Sequence, residues 1–81
     1  MVALTLLTRA DCHLCETARN AIAEAVAGRE VSVSEIDIDT DDDLSGQYGW
    51  DVPVVLLNGR QHSFHRVDTD RLSRALDALG A

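Results

Sequence analysis

The chain has 81 residues, room for one small domain with one core, and 46% apolar residues, which is too many for a disordered chain. Fourteen Asp and Glu against seven Arg and no lysine give a net charge of −7, which argues against nucleic acid and anionic membrane surfaces as partners. No apolar run is long enough to span a bilayer, and the Met1–Leu7 run is too short for a secretory signal, so a cytoplasmic protein is expected.

Val2 to Thr8 is a run of leucine and β-branched residues suited to a strand buried on both faces, and it ends in the polar turn Thr8-Arg9-Ala10-Asp11. A helix follows, in which Leu14, Ala18, Ala21, Ile22, Ala25 and Val26 share the apolar stripe and Gly28 ends the run. Val31, Val33, Ile36 and Ile38 mark a second strand, whose alternation slips at Ser34-Glu35, either as a bulge or as the start of the strand. Strand, helix and strand in that order predict a right-handed crossover and a parallel pair.

The acidic stretch Asp37 to Asp43 reads as a solvated turn and the charged N-terminus of a short helix, Asp42 to Tyr48. It lacks the glycine and terminal glutamate of a calcium-binding loop. Gly49-Trp50-Asp51 breaks that helix, and Tyr48 and Trp50 are expected to pack inside. Val52 to Leu57 forms a third strand opened by the only proline, Pro53. Asn58-Gly59 predicts a hairpin returning through Gln61 to Arg66 as strand four. Asp68 or Thr69 then caps a last helix with Leu72, Ala75, Leu76 and Leu79 on its buried side, closed by Gly80. The fold class is α/β: βαβ, a short helix, a ββ hairpin and α, as a single domain over residues 1–81.

Chemistry concentrates at Cys12-His13-Leu14-Cys15, the only two cysteines, placed where the first strand gives way to the first helix. Thiols three apart on a first helical turn lie on one side of the helix, within reach of a disulfide. Unpaired N–H groups and the positive end of the helix dipole favour thiolate there, so Cys12 is the expected nucleophile and the deeper Cys15 the resolving thiol. Arg9 and His13 add positive charge, whereas Asp11 either caps the helix or opposes the thiolate. Half a zinc site and two inert cysteines are the competing readings of the motif.

With Thr8 to Cys15, Glu35-Ile36-Asp37-Ile38-Asp39, Tyr48-Gly49, Val52-Pro53-Val54 and Asn58-Gly59 in this order, the whole chain resembles the thioredoxin superfamily, and within it small glutaredoxin-like proteins. The resemblance implies a three-layer fold: a four-stranded mixed sheet flanked by helices. It also implies a cis peptide bond before Pro53, across from the cysteine pair, against a general frequency of about 5–6% for such bonds. In that geometry the backbone of Val52 is offered to an extended substrate or to glutathione. Arg9 stands where glutaredoxins hold a substrate carboxylate, although an exposed loop arginine explains it equally. Three features depart from the family. His13 replaces the usual proline or glycine and stands either as a thiolate-stabilising imidazolium or as a surface histidine. His65-Arg66 replaces the paired glycines used to approach glutathione, and only Asp68 and Thr69 remain to anchor a γ-glutamyl group.

The expected function is therefore a small thiol-disulfide oxidoreductase, with no bound cofactor. Its partners are a disulfide-containing protein or a small-thiol substrate, glutathione or another low-molecular-weight thiol serves as co-substrate, and the chain acts as a monomer. The alternative is a soft-metal (zinc or copper) binding or delivery protein using Cys12 and Cys15, with His62 and His65 as further ligands. Heavy-metal-associated domains run βαββαβ, however, and here a second helix precedes the third strand. A third reading keeps the fold as a binding module whose Trp50 and Val52 edge meets a partner.

Overall fold

The computed structural model describes residues 1–81. Hydrogen bonding divides the backbone into β1 (Val2–Thr8), α1 (His13–Val26), β2 (Val31–Asp37), a 3-10 turn (Ile38–Thr40), α2 (Asp42–Tyr48), β3 (Val54–Leu57), β4 (Arg60–Phe64) and α3 (Thr69–Ala78). The sheet order is β2-β1-β3-β4, with β1 parallel to β2 and antiparallel to β3. A central β1 explains its nearly continuous apolar sequence, since both of its faces are covered. Leu4 and Leu6 join Val55 and Leu57 against Ala18 and Ile22 of α1 and Leu72 and Leu76 of α3. On the opposite face Leu7 and Val54 meet Ile38, with Leu44 and Tyr48 of α2 packed against them. Helices therefore cover both faces, which makes three layers.

β2 pairs with β1 in unbroken register from Val2↔Val31 to Thr8↔Asp37, so the slip at Ser34-Glu35 is not a bulge. Val33 and Ile36 are exposed because β2 is an edge strand, and Ile38 leaves the strand to be buried in the 3-10 turn. The irregularity lies instead on β4. Val55 pairs with Ser63 and Leu56 with Gln61, leaving His62 as the extra residue of a bulge.

The acidic stretch supplies caps. Asp37 accepts from the Asp39 N–H, and Asp41 from those of Asp43 and Leu44 at the start of α2. Asn58 (φ 51°) and Gly59 (φ 83°) form the two-residue hairpin with both residues left-handed, the conformation that Asn-Gly accepts at least cost. α3 is capped by Asp68, which accepts from the Arg71 N–H at 3.0 Å; Thr69 is its first helical residue.

Four expectations are corrected. Strand β3 begins at Val54, two residues later than predicted: Val52 and Pro53, joined by a cis peptide bond, stand outside the ladder, since neither Val52 backbone group is paired and proline has no N–H to give. Strand β4 spans Arg60–Phe64 rather than Gln61 to Arg66, because His65 turns the chain with φ 60°. Leu14 and Leu79, assigned to buried stripes, are exposed at helix ends that overhang the sheet. Trp50, expected inside, is 93% exposed. Tyr48, by contrast, does pack against the α2 side of the core.

Candidate active site

The cysteine pair sits where β1 runs out. Asp11 reverses the chain with φ 59°, a conformation aspartate tolerates better than most residues, and Cys12 follows in extended geometry (φ −101°, ψ 105°) as the N-cap of α1. The cap is thus Cys12 itself and not Asp11: its Sγ accepts from the Cys15 N–H at 3.2 Å. The two sulfurs form a disulfide, with the Cα atoms 5.3 Å apart. Cys12 is half-buried while Cys15 is 0% exposed, so the first cysteine meets the surface and the second does not. A helix N-terminus, with its free N–H groups and the positive end of its dipole, is a favourable place for negative charge.

A second stretch lies alongside. β3 pairs antiparallel to β1 with Leu7 opposite Val54, so Val52 and Pro53 continue beside the Thr8-Arg9 end of β1, close to the cysteine turn. Arg9 fixes this juxtaposition. Its Nη1 donates to the Gly49 carbonyl at 2.9 Å, its Nε to Asp39 Oδ1 at 3.2 Å and its Nη2 to Ser45 Oγ at 3.5 Å. The guanidinium thereby ties the end of β1 to the 3-10 turn, α2 and the loop after α2. Gly49 is required there, since a Cβ at this residue would lie 2.5 Å from the Ser45 carbonyl oxygen.

His65 holds the loop from the other side. Its N–H donates to the carbonyls of Pro53 (2.9 Å) and Asp51 (3.2 Å), and its Nε2 donates to the Trp50 carbonyl at 2.9 Å. The chain therefore turns left-handed at a histidine, with φ 60°. Val52 is the exception in this loop. Neither its N–H nor its carbonyl has a hydrogen-bond partner within the chain.

Two hollows flank the cysteine turn. One, of about 290 Å³, is lined by Arg9, Asp11, Cys12, His13, Glu16 and Arg19 among others; the second, of about 400 Å³, by Leu14, Thr17, His65, Arg66 and Val67. His13 is exposed as the first residue of α1. Asp68 and Thr69 lie just beyond the second hollow and are used locally, Asp68 as the α3 cap and Thr69 Oγ1 donating to Glu24 at 3.4 Å. The sequence-predicted residues Cys12, Cys15, His13, Arg9, Val52 and Pro53 thus gather at one end of the sheet. The sequence marks His65 as a departure from the family's paired glycines and as a candidate metal ligand; its role in ordering the loop is not foreseen there, because its partners Trp50, Asp51 and Pro53 lie a dozen or more residues away in the chain.

The family model described as glutaredoxin-like domain (DUF836) matches residues 3–77. The chain belongs to this glutaredoxin-like domain family. Uncharacterised proteins of Mycobacterium tuberculosis and Mycobacterium bovis are 38% identical to this glutaredoxin-like domain over 72 residues, covering 83% of it and 74% of their own length. A Dictyostelium discoideum protein described as glutaredoxin-like is 29% identical, covering 94% of this chain and 76% of its own. Among solved structures, a Xanthomonas campestris structural-genomics protein superposes with TM-score 0.78 at 42% identity, covering 93% of this chain and 96% of that one. A Halobacterium salinarum thioredoxin superposes with TM-score 0.71 at 23% identity over 95% of this chain and 73% of that one, a likeness of fold alone.

The glutaredoxin-like fold and the Cys12–Cys15 pair support a redox type of function. The donor set for metal is small. No three His, Cys, Asp or Glu side chains converge as a metal-binding group, and the helix before β3 departs from the βαββαβ order. His62 Nδ1 lies 3.3 Å from Ser63 Oγ and the residue lines a hollow beside α3, whereas the His65 ring faces Trp50, so the two histidines do not converge. No helix is long and apolar enough to cross a membrane.

Proposed function

We propose that this protein is a thiol-disulfide oxidoreductase in which Cys12 attacks and Cys15 resolves. One observation carries the reading: at the helix N-terminus the half-buried Cys12 receives the Cys15 N–H on its sulfur, while the disulfide-bonded Cys15 is fully buried. Starting from the dithiol, the Cys12 thiolate attacks a client disulfide, forms a Cys12–client mixed disulfide and expels the other client sulfur as a thiolate. Cys15, losing its proton to solvent, then attacks the Cys12 sulfur, which forms the Cys12–Cys15 disulfide and releases the second client thiolate. Two electrons pass to the client. An external low-molecular-weight thiol, glutathione or another, returns the pair to the dithiol by the reverse exchange, becoming oxidised itself.

Val52 supplies the open N–H and carbonyl for an extended client backbone beside Pro53. Arg66 brings positive charge to the second hollow and His13 an exposed imidazole to the first, whereas Arg9 is committed to Asp39, Ser45 and Gly49 and acts first as a clamp. Asp68 and Thr69 contribute as the start of α3 beside the second hollow. The cytoplasm, where thiols are kept reduced, suits a pair used for chemistry rather than as a structural staple.

The test is turnover of hydroxyethyl disulfide with excess thiol by the wild type, Cys12→Ser and Cys15→Ser. Cys12→Ser loses exchange and Cys15→Ser accumulates a mixed disulfide on Cys12. An active Cys12→Ser protein overturns the proposal.

A further inference from the structure

Trp50 is the only tryptophan, and at 93% exposure it gains almost nothing from the fold. An indole left in water on a monomer's surface forgoes a large apolar burial, which is why exposed aromatics on ordered backbone mark contact surfaces. The backbone here is ordered without help from the indole. The carbonyls of Gly49, Trp50, Asp51 and Pro53 all accept hydrogen bonds, from Arg9 or from His65. Between them Val52 leaves both of its backbone groups unpaired. The loop is thus held by its carbonyls so that one residue offers a side chain and a near neighbour offers main chain.

Two further rings lie beside the same loop. Phe64, 50% exposed, packs edge-on against the His65 ring with centroids 5.0 Å apart, and the same His65 ring donates to the Trp50 carbonyl. Phe64 and His65 therefore form an aromatic pair beside the backbone of Trp50.

We infer that Trp50 is the docking residue for an extended, apolar segment of a client protein carrying the disulfide, making protein disulfides, rather than small symmetric ones, the preferred substrates. The inference rests on the exchange chemistry proposed for Cys12. A small disulfide has neither a main chain to pair with Val52 nor a side chain large enough to cover an indole; an extended protein segment has both. The net charge of −7 further selects segments without excess acid. Covering an indole in a packed contact shifts binding by about 1–2 kcal/mol, roughly a tenfold effect.

Two measurements test this. In the first, kcat/KM is measured for hydroxyethyl disulfide and for a peptide disulfide with leucine beside its cysteine, using the wild type, Trp50→Ala and Trp50→Phe. The ratio of peptide to small disulfide falls about tenfold in Trp50→Ala and recovers in part in Trp50→Phe. An unchanged ratio overturns the docking role while leaving the chemistry intact. Failure of the wild type to turn over either disulfide sinks the chemistry and the inference with it.

The second measurement uses Cys15→Ser and the same peptide activated as an aryl disulfide. The Cys12 thiolate forms a bond to the peptide sulfur, breaks the peptide–aryl S–S bond and releases the aryl thiolate, which counts the trapped complexes by its colour. Because Trp50 is the sole tryptophan, its emission shifts to shorter wavelength as the trapped segment covers it. Emission that stays at the position of a water-exposed indole in the trapped complex refutes the contact.

Discussion

His65 carries φ 60° where glycine would be at ease, and its ring holds the Trp50 carbonyl at 2.9 Å. These two features make opposite demands on a substitution. In His65→Ala the exposed hydrogen bond is lost, at about 0.5–1 kcal/mol, and the left-handed backbone keeps its Cβ. In His65→Gly the same bond is lost, but removing the Cβ relieves about 1–2 kcal/mol of backbone strain, against about 0.4–1 kcal/mol for the freer unfolded chain. Glycine at residue 65 is therefore more stable than alanine by about 0.5–1 kcal/mol, the reverse of their usual order. For a domain this size the difference is about 0.5–1 M in the urea midpoint at an m-value near the low end of the usual range. The control is Arg74, exposed in the middle of α3, where alanine exceeds glycine by about 1 kcal/mol. If alanine matches or exceeds glycine at both residues, the left-handed turn at His65 is not the feature that orders the loop.

Three further outcomes follow from the same geometry. Asp68→Ala costs about 1 kcal/mol by removing the α3 cap, while Thr69→Ala, which gives up one long, exposed contact, costs less than half as much; equal losses in urea titrations contradict the capping assignment. Arg9→Ala lowers the urea midpoint by the equivalent of about 1–2 kcal/mol, since a partly exposed guanidinium loses Asp39, Ser45 and Gly49 together. A tenfold rise in KM for an acidic disulfide at unchanged stability would instead return Arg9 to substrate binding. His62 is held below its usual titration range, first by burial and second by the Arg71 charge. As pH falls below about 6.5 the unfolded chain binds a proton that the folded chain resists, so the stability carried by neutral His62 is full above that pH and lost below it. His62→Gln flattens the decline of the urea midpoint between about pH 7 and 5.5; parallel curves for the two proteins would refute that origin.

Local chemistry made most of the fold legible. β1, α2 and the start of α3 fall where apolar runs and caps predict, and Asn58-Gly59 makes the two-residue turn its sequence demands. The glycines that close α1 and α3, Gly28 (φ 75°) and Gly80 (φ 80°), are left-handed as helix stops are. The cysteine turn was visible because the requirement for two thiols at a helix start is itself local. What escaped depends on distant partners. β2 is legible as a strand from its valines and isoleucines, but nothing in them tells that it lies at the sheet edge, which leaves Val33 and Ile36 in solvent. Arg9 reads as a free loop cation until α2 and the 3-10 turn come beside it. Trp50 reads as core because large aromatics usually are, and only the hydrogen bonds to its neighbours reveal a loop that stands without it.

The most direct test of the dithiol couple is a redox titration of the metal-free protein in defined thiol-disulfide buffers, read by mass. A Cys12–Cys15 couple gives reversible loss of the two thiol hydrogens at a defined midpoint, with a mixed disulfide on Cys12 as the only intermediate. A mass that stays at the dithiol across the whole range would contradict it.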